Sequence, residues 1–175
     1  MSYTIRAATG GDVAAIEALL AAAFPEPAEA MLVRRLCIDG DMVLTLVADD
    51  EETGALAGMI AFSRMAVEVD GKPVPAVALA PIATAAAHRR RGIADLLIRT
   101  GLRDLAAAGV VLCFVLGEPD FYGRHGFSVD WAKGFDSPYA GDYLMALPLQ
   151  DGKMPCGVRG VAVHAKAFAS LGEEA

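Results

Sequence analysis

The stretch that decides the fold runs Ala78-Leu79-Ala80-Pro81-Ile82-Ala83-Thr84, then three alanines, then His88-Arg89-Arg90-Arg91-Gly92-Ile93-Ala94. Its first part reads as the end of a strand, Val74–Thr84. Pro81 cannot donate a ladder hydrogen bond, so within a strand it belongs at an edge or a bulge. A bulge there frees neighbouring backbone groups from sheet pairing. Behind the arginines, Ile93–Ala108 reads as a helix. Asp95, Arg99 and Arg103 form its wet stripe, while Ile93, Leu96, Leu97, Ile98, Leu102 and Leu105 fill the other faces. Gly109 closes it. Val110–Leu116 is then apolar without alternation, as a strand covered on both faces is. Val74 to Leu116 is therefore a βαβ crossover, expected right-handed.

Working outward, Tyr3–Ala8 predicts a first strand and Thr9–Asp12 a turn with an N-cap. Val13, Ile16, Leu20 and Phe24 share one face of a helix that Pro25 and Pro27 stop. Ala28–Ile38 predicts a second helix, with Arg34 and Arg35 solvated and Gly40 ending it. Met42–Ala48 and Ala55–Val69 are strands, and Asp70-Gly71 is a strong hairpin signal. Asp120–His125 is a short helix or turn, and Tyr143–Leu149 a late strand. Signals weaken beyond Gly152, where the apolar segment Val158–Phe168 has two destinations, the sheet or a second subunit. The order implies a mixed sheet with helices on both faces, an α/β or α+β single domain over 1–150 with a C-terminal extension, 151–175.

The chain has 175 residues and a formal net charge of −7, from 15 Lys+Arg against 22 Asp+Glu. A hydrophobic fraction of 55% supplies a core and excludes disorder. The negative balance disfavours nucleic acid and anionic membranes as partners. Cys37, Cys113 and Cys156 lie far apart, with neither a C-x-x-C pair nor an even-numbered framework. No metal site is indicated, and reduced thiols point to the cytoplasm. Met1–Asp12 has no apolar region of the signal-peptide kind. The longest apolar stretch, Ala76 to Ala87, is shorter than the roughly 20 residues a membrane helix needs.

Against that negative total, Arg89, Arg90 and Arg91 concentrate positive charge at a strand-to-helix turn. Gly92 opens the helix without a side chain, so a ligand can approach its backbone. The first amides of the helix have no intrahelical partner, and the dipole there favours an anion. Together these features describe a pyrophosphate site where α/β sheets place ligands. No G-x-x-x-x-G-K-[ST] occurs, and the turn lacks G-x-G-x-x-G, which removes P-loop and dinucleotide readings.

Arg89-Arg90-Arg91-Gly92-Ile93-Ala94 matches the R/Q-x-x-G-x-G/A pattern of the GCN5-related N-acetyltransferase (GNAT) superfamily. Leu79–Thr84, with Val115-Leu116-Gly117-Glu118-Pro119-Asp120-Phe121-Tyr122-Gly123-Arg124-His125-Gly126-Phe127, resembles the YhbS-like branch of that superfamily. The resemblance covers most of residues 3–150. It implies a mixed, mostly antiparallel sheet of about seven strands, with a splayed parallel pair formed by Val74–Thr84 and Val110–Leu116. It implies acetyl-CoA as co-substrate and transfer of the acetyl group to a primary amine of a small molecule or protein in a ternary complex. Backbone groups of Ile82, Ala83 and Thr84 would meet the pantetheine arm or the oxyanion. Arg89, Arg90, Arg91, Gly92, Ile93 and Ala94 would hold the pyrophosphate. Tyr122 would be the general acid.

A base is harder to name. Many members carry a glutamate on the strand before the phosphate turn, where this chain has Leu79 and Ala80. Glu118 and Asp120 read first as helix capping beside Pro119, His88 as a solvated turn residue and Cys113 as core. Without an evident base, an acyl-CoA-binding sensor with little turnover is the alternative. Seven of the twelve aromatic side chains lie between Phe121 and Tyr143, as core or as a wall for the acceptor. Asp130, Asp136 and Asp142, interleaved with them, would attract a cationic amine.

Overall fold

In the computed structural model, which describes residues 2–169, the side chains of Ile93 and Leu97 lie against Gly58. Met59 and Ala61, on the same strand, pack instead with Ile16, Leu19, Leu20 and Val33. Strand side chains alternate between faces, so this strand carries helices on both. It is β3 (Leu56–Val69), preceded by β1 (Tyr3–Ala7), α1 (Val13–Ala23), α2 (Ala28–Asp39) and β2 (Met42–Asp50). After it come β4 (Lys72–Thr84), α3 (Ile93–Ala107), β5 (Leu112–Leu116), α4 (Pro119–Gly123), α5 (Val129–Ala132), β6 (Leu144–Pro148) and β7 (Arg159–His164).

The strands form one seven-stranded sheet in the order β1-β2-β3-β4-β5-β6, with β7 paired to β3. β4 and β5 run parallel, Ala76–Ala78 against Leu112–Phe114, and β5 pairs antiparallel with β6. By contacts the chain groups into two units. The first draws on the chain up to Phe62, on Ala80–Gly101 and on the segment from Lys166. The second draws on Ser63–Leu79 and Leu102–Ala165.

Local chemistry explains the joints. Asp70 and Gly71 both have positive φ, 54° and 72°, as a two-residue type I′ hairpin requires. α2 ends on Gly40 in the left-handed region, whose N–H donates to the Leu36 and Cys37 carbonyls. Arg6 on β1 ties the turn before α1 to β2 by bonding both Asp12 and Asp49. Asp12 is thereby held well below the usual carboxylate range, chiefly by Arg6 and then by the Thr9 amide. Ile93, Leu97 and Ile98 of α3 are fully buried, each worth about 1.5–3 kcal/mol of apolar burial.

Within Val158–Phe168, Arg159–His164 joins the sheet as β7. β7 pairs with Met65–Val69 of β3 on one edge, and Asp136 brackets it on the other by exchanging bonds with Gly160 and Ala162. α5 was not foreseen: its apolar residues are too few to show a period, and Ser128 caps it through Asp130 N–H. β5 begins two residues later than expected, because Val111 still splits its bonds between Pro75 and Leu149. Among the described residues no helix is long and apolar enough to cross a membrane, and all three cysteines are free thiols.

Candidate active site

The turn between β4 and α3 is built from unusual backbone conformations. A short 3-10 turn, Ala86–His88, leads to an extended Arg89. Arg90 then has φ 64° and Gly92 φ 78°, both left-handed. A side chain at Gly92 would meet no protein atom within 4 Å, so glycine is required by conformation and the space beside it is open. The Gly92 carbonyl accepts from Leu96 N–H at 3.0 Å and so starts the helix. Gly92 has no side chain to cap the amides of the first turn. Arg89, Arg90 and Arg91 are exposed, Ile93 is buried and Ala94 half-buried. The Ile93 side chain therefore belongs to the core, not to the open side of the turn.

β4 changes its pairing edge along its length. The Pro75 carbonyl accepts from Val111 N–H just before β5, whereas Ala85 N–H, just past the end of β4, donates to the Ala57 carbonyl beside β3. In an unbroken strand, residues 75 and 85 would address the same neighbour. The alternation therefore slips by one between them, the signature of a bulge. The Ala80–Pro81 peptide in this stretch is cis. After the slip, Ala83 addresses β3: its carbonyl lies against Gly58, and its side chain joins the α1 core. Ile82 and Thr84, one step out of phase, turn their N–H and C=O groups away from β3. Of the three residues expected to meet the ligand by backbone, Ile82 and Thr84 have backbone groups directed away from β3, and Ala83 has them directed toward it. The Ala83 side chain is core.

Tyr122 lies in the second unit, on α4. Pro119 opens this helix at its first turn, with Glu118 at the N-cap position. The Tyr122 ring rests on Gly117, where a Cβ would fall 2.5 Å from the ring. Edge contacts to Phe121 and Phe127, at 4.8 and 6.0 Å between centroids, complete its surroundings. Burial pushes its phenol above the ordinary tyrosine value, and neighbouring Cys113 adds to the effect. The phenol is thus held neutral, with its proton. Cys113 is fully buried, which pushes its thiol up; it is core, as expected. Glu118 and Asp120 are exposed, and Glu118 occupies the cap without a side-chain bond.

The chain matches the Acetyltransferase (GNAT) domain over residues 4–129. It belongs to the GNAT acetyltransferase family. An Escherichia coli (strain K12) relative, the uncharacterized N-acetyltransferase YhbS, is 40% identical over 67% of this chain and 69% of its own length. The crystal structure of E. coli YhbS in complex with CoA has a TM-score of 0.86 at 31% identity, covering 95% of this chain and 92% of that one. A GNAT family acetyltransferase from Brucella melitensis in complex with acetyl-CoA has a TM-score of 0.77 at 28% identity, covering 95% and 98%.

This GNAT chain has no carboxylate anywhere on β4, from Lys72 to Thr84. Leu79 is buried, so the position of the usual glutamate carries core packing instead. His88 is the clearest departure from expectation. It is not a solvated turn residue: 13% of its side chain is exposed, and Nδ1 lies 2.9 Å from the Tyr3 hydroxyl. Nothing in the sequence joins residues 85 positions apart. The link needs the β1–β2 register, which sets Tyr3 opposite Asp50. Of the acidic residues among the aromatics, Asp130 pairs with Lys133 at 3.1 Å.

Proposed function

We propose that this protein is an acetyl-CoA-dependent N-acetyltransferase acting on a primary amine of a small molecule or a protein. The observation that carries the reading is the left-handed Arg90–Gly92 turn. It opens α3 shortly after a strand in which Ile82 and Thr84 turn their backbone groups away from β3. The amides at the start of α3 and the exposed arginines suit a diphosphate, through backbone donors and the helix dipole together. The backbone groups of Ile82 and Thr84 suit the amide-bearing arm of the coenzyme, bound as an added strand.

In this reading the neutral amine attacks the thioester carbon, and the Ile82 N–H donates to the carbonyl oxygen as negative charge develops on it. The C–S bond breaks, and the coenzyme thiolate takes a proton from the Tyr122 hydroxyl. A free thiol has a pKa of about 8.5 and an ordinary phenol about 10, so this transfer runs uphill, more so after burial. Tyr122 then contributes toward the low end of the general-acid range, about 10²-fold. The ammonium loses one proton to water before attack, which desolvation favours, and the proton left on the new amide nitrogen returns to the Tyr122 oxygen through water; no carboxylate on β4 takes either. That lack is the one observation favouring the second reading, an acyl-CoA-binding sensor with little turnover.

Isothermal calorimetry with CoA and acetyl-CoA, followed by thiol release across a panel of amines, tests the proposal. Binding with acceptor-dependent thiol release is expected. Binding without release for any small amine or peptide amine favours the sensor. No binding at modest salt overturns both readings.

A further inference from the structure

Arg91 is one of three arginines in the turn, and its guanidinium is already engaged. Its Nη1 donates to the Tyr3 hydroxyl oxygen at 3.1 Å. That hydroxyl lies 2.9 Å from His88 Nδ1, and the two rings meet edge to face at 5.6 Å between centroids. The other ring nitrogen, Nε2, lies 3.9 Å from Asp50 Oδ2. Asp50 is itself fixed: its carboxylate accepts from the Glu52 amide at 3.0 Å and the Thr53 hydroxyl at 3.1 Å. The Glu52 amide, and less strongly Thr53 and Arg91, lower its pKa against the effect of burial. Four side chains from β1, the end of β2 and both sides of the turn thus form one chain of polar contacts, all within the first unit.

We infer that Tyr3 and His88 are positioning residues that hold Arg91, and with it the diphosphate turn, in the binding conformation before the coenzyme arrives. The inference rests on the turn being the coenzyme site, and goes beyond it by assigning residues outside the motif. The proton order follows from the ends of the chain. The Asp50 carboxylate favours a proton on the nearer nitrogen, Nε2. Nδ1 is then an acceptor and takes the Tyr3 hydroxyl proton. The Tyr3 oxygen, polarised by that donation, accepts from Arg91. The device matters because Arg90 and Gly92, on either side of Arg91, are both left-handed, and left-handed backbone is costly for a residue with a side chain. Anchoring Arg91 to β1 fixes the segment between them, so less ordering is left for the ligand to provide.

A double-mutant cycle tests the assignment. Tyr3→Phe keeps the ring contact and deletes the relay. It is expected to weaken CoA binding about 5-fold, the size of one net hydrogen bond, with kcat at saturating acetyl-CoA unchanged. Arg91→Ala should weaken binding by at least as much. Because Tyr3 acts through Arg91, adding Tyr3→Phe to Arg91→Ala should change binding less than about 1.5-fold. A further 5-fold loss in the double variant overturns the relay while leaving the coenzyme site intact. Failure of the unmodified protein to bind CoA overturns both. His88→Asn, which retains an acceptor near Nδ1, should keep near-normal affinity, whereas His88→Leu should match Tyr3→Phe. Equal losses in the two His88 variants would make the role steric and sink the assignment. Nitrogen-15 shifts of His88 give a reading independent of the coenzyme. The Nε2–H tautomer is expected, and an Nδ1–H tautomer is incompatible with donation from Tyr3.

Discussion

Gly92 and Gly117 are glycine for opposite reasons, and on the proposed reading the contrast separates recognition from chemistry. A Cβ at Gly92 would meet nothing, but its φ of 78° excludes most side chains. A Cβ at Gly117 would fall 2.5 Å from the Tyr122 ring. The first region is open, charged and shaped by backbone torsion. The second is apolar and shaped by contact, and burial there holds a phenol neutral. On the proposed reading, a polyanionic ligand is met by amides and guanidinium groups that stay hydrated until it arrives. A proton donor is tuned by taking water away from it. Damage to the first region should therefore appear in affinity, and damage to the second in turnover.

Tyr122→Phe should break the contrast most sharply. The expected result is a fall in kcat of about 10²-fold with CoA affinity changed less than about 2-fold, read by thiol release and calorimetry. The pH profile supplies the sign. The phenol must carry its proton, and burial raises its pKa, so kcat should hold to about pH 10 and fall only above the ordinary tyrosine value. The same raised pKa means the fold binds this proton more tightly than the unfolded chain does. The stability it contributes is complete below about pH 10 and lost as pH rises through the folded value. A variant with unchanged kcat would remove Tyr122 from the chemistry and leave the turn untouched.

Gly92→Val addresses the other region. A β-branched residue in left-handed backbone costs more than the roughly 1–2 kcal/mol of an ordinary residue. The turn relieves that strain by rotating its amides out of the binding arrangement. CoA affinity should fall at least about 30-fold, about 2 kcal/mol. Thermal stability should fall only by the residual strain, since the space around Gly92 is free. Retained affinity would mean that the amides of Arg91–Ala94 are not what holds the diphosphate.

The same division governs what could be read from sequence. The strand–turn–helix–strand order from Val74 to Leu116 was legible because it is local: a proline, a glycine and helical periodicity are written in adjacent residues. The Asp70-Gly71 hairpin was legible for the same reason. The Tyr3–His88–Asp50 chain was not, because its members meet only through the β1–β2 register. The orientation of Ala83 was hidden too. Sequence suggested a bulge at Pro81, but which residues face away from β3 afterwards depends on where the alternation slips. His88 looked solvated because three arginines follow it, although a neighbour in sequence says little about the side of a turn on which a ring lies. α5 and β7 were weak signals because short elements next to polar loops take their stability from partners such as Asp136 and β3 rather than from their own pattern.

Gly117→Ala gives the smallest and most diagnostic effect. Alanine has no conformational objection at this position, so any consequence comes from its single methyl group. That methyl would sit 2.5 Å from the Tyr122 ring, closer than packed carbon atoms approach, and the ring must move by about 1 Å to restore van der Waals separation. The ring is also bounded by Phe121 and Phe127, so its displacement has few directions. Misplacing a reacting group by about 1 Å can cost up to 10²-fold, and a partial shift should cost about 10-fold in kcat. CoA affinity should be unchanged. Combined with Tyr122→Phe, the alanine should add little, because the hydroxyl it displaces is already gone. If Gly117→Ala instead weakened CoA binding and left kcat intact, the division between an open recognition turn and a packed proton donor would fail at the residue chosen to display it.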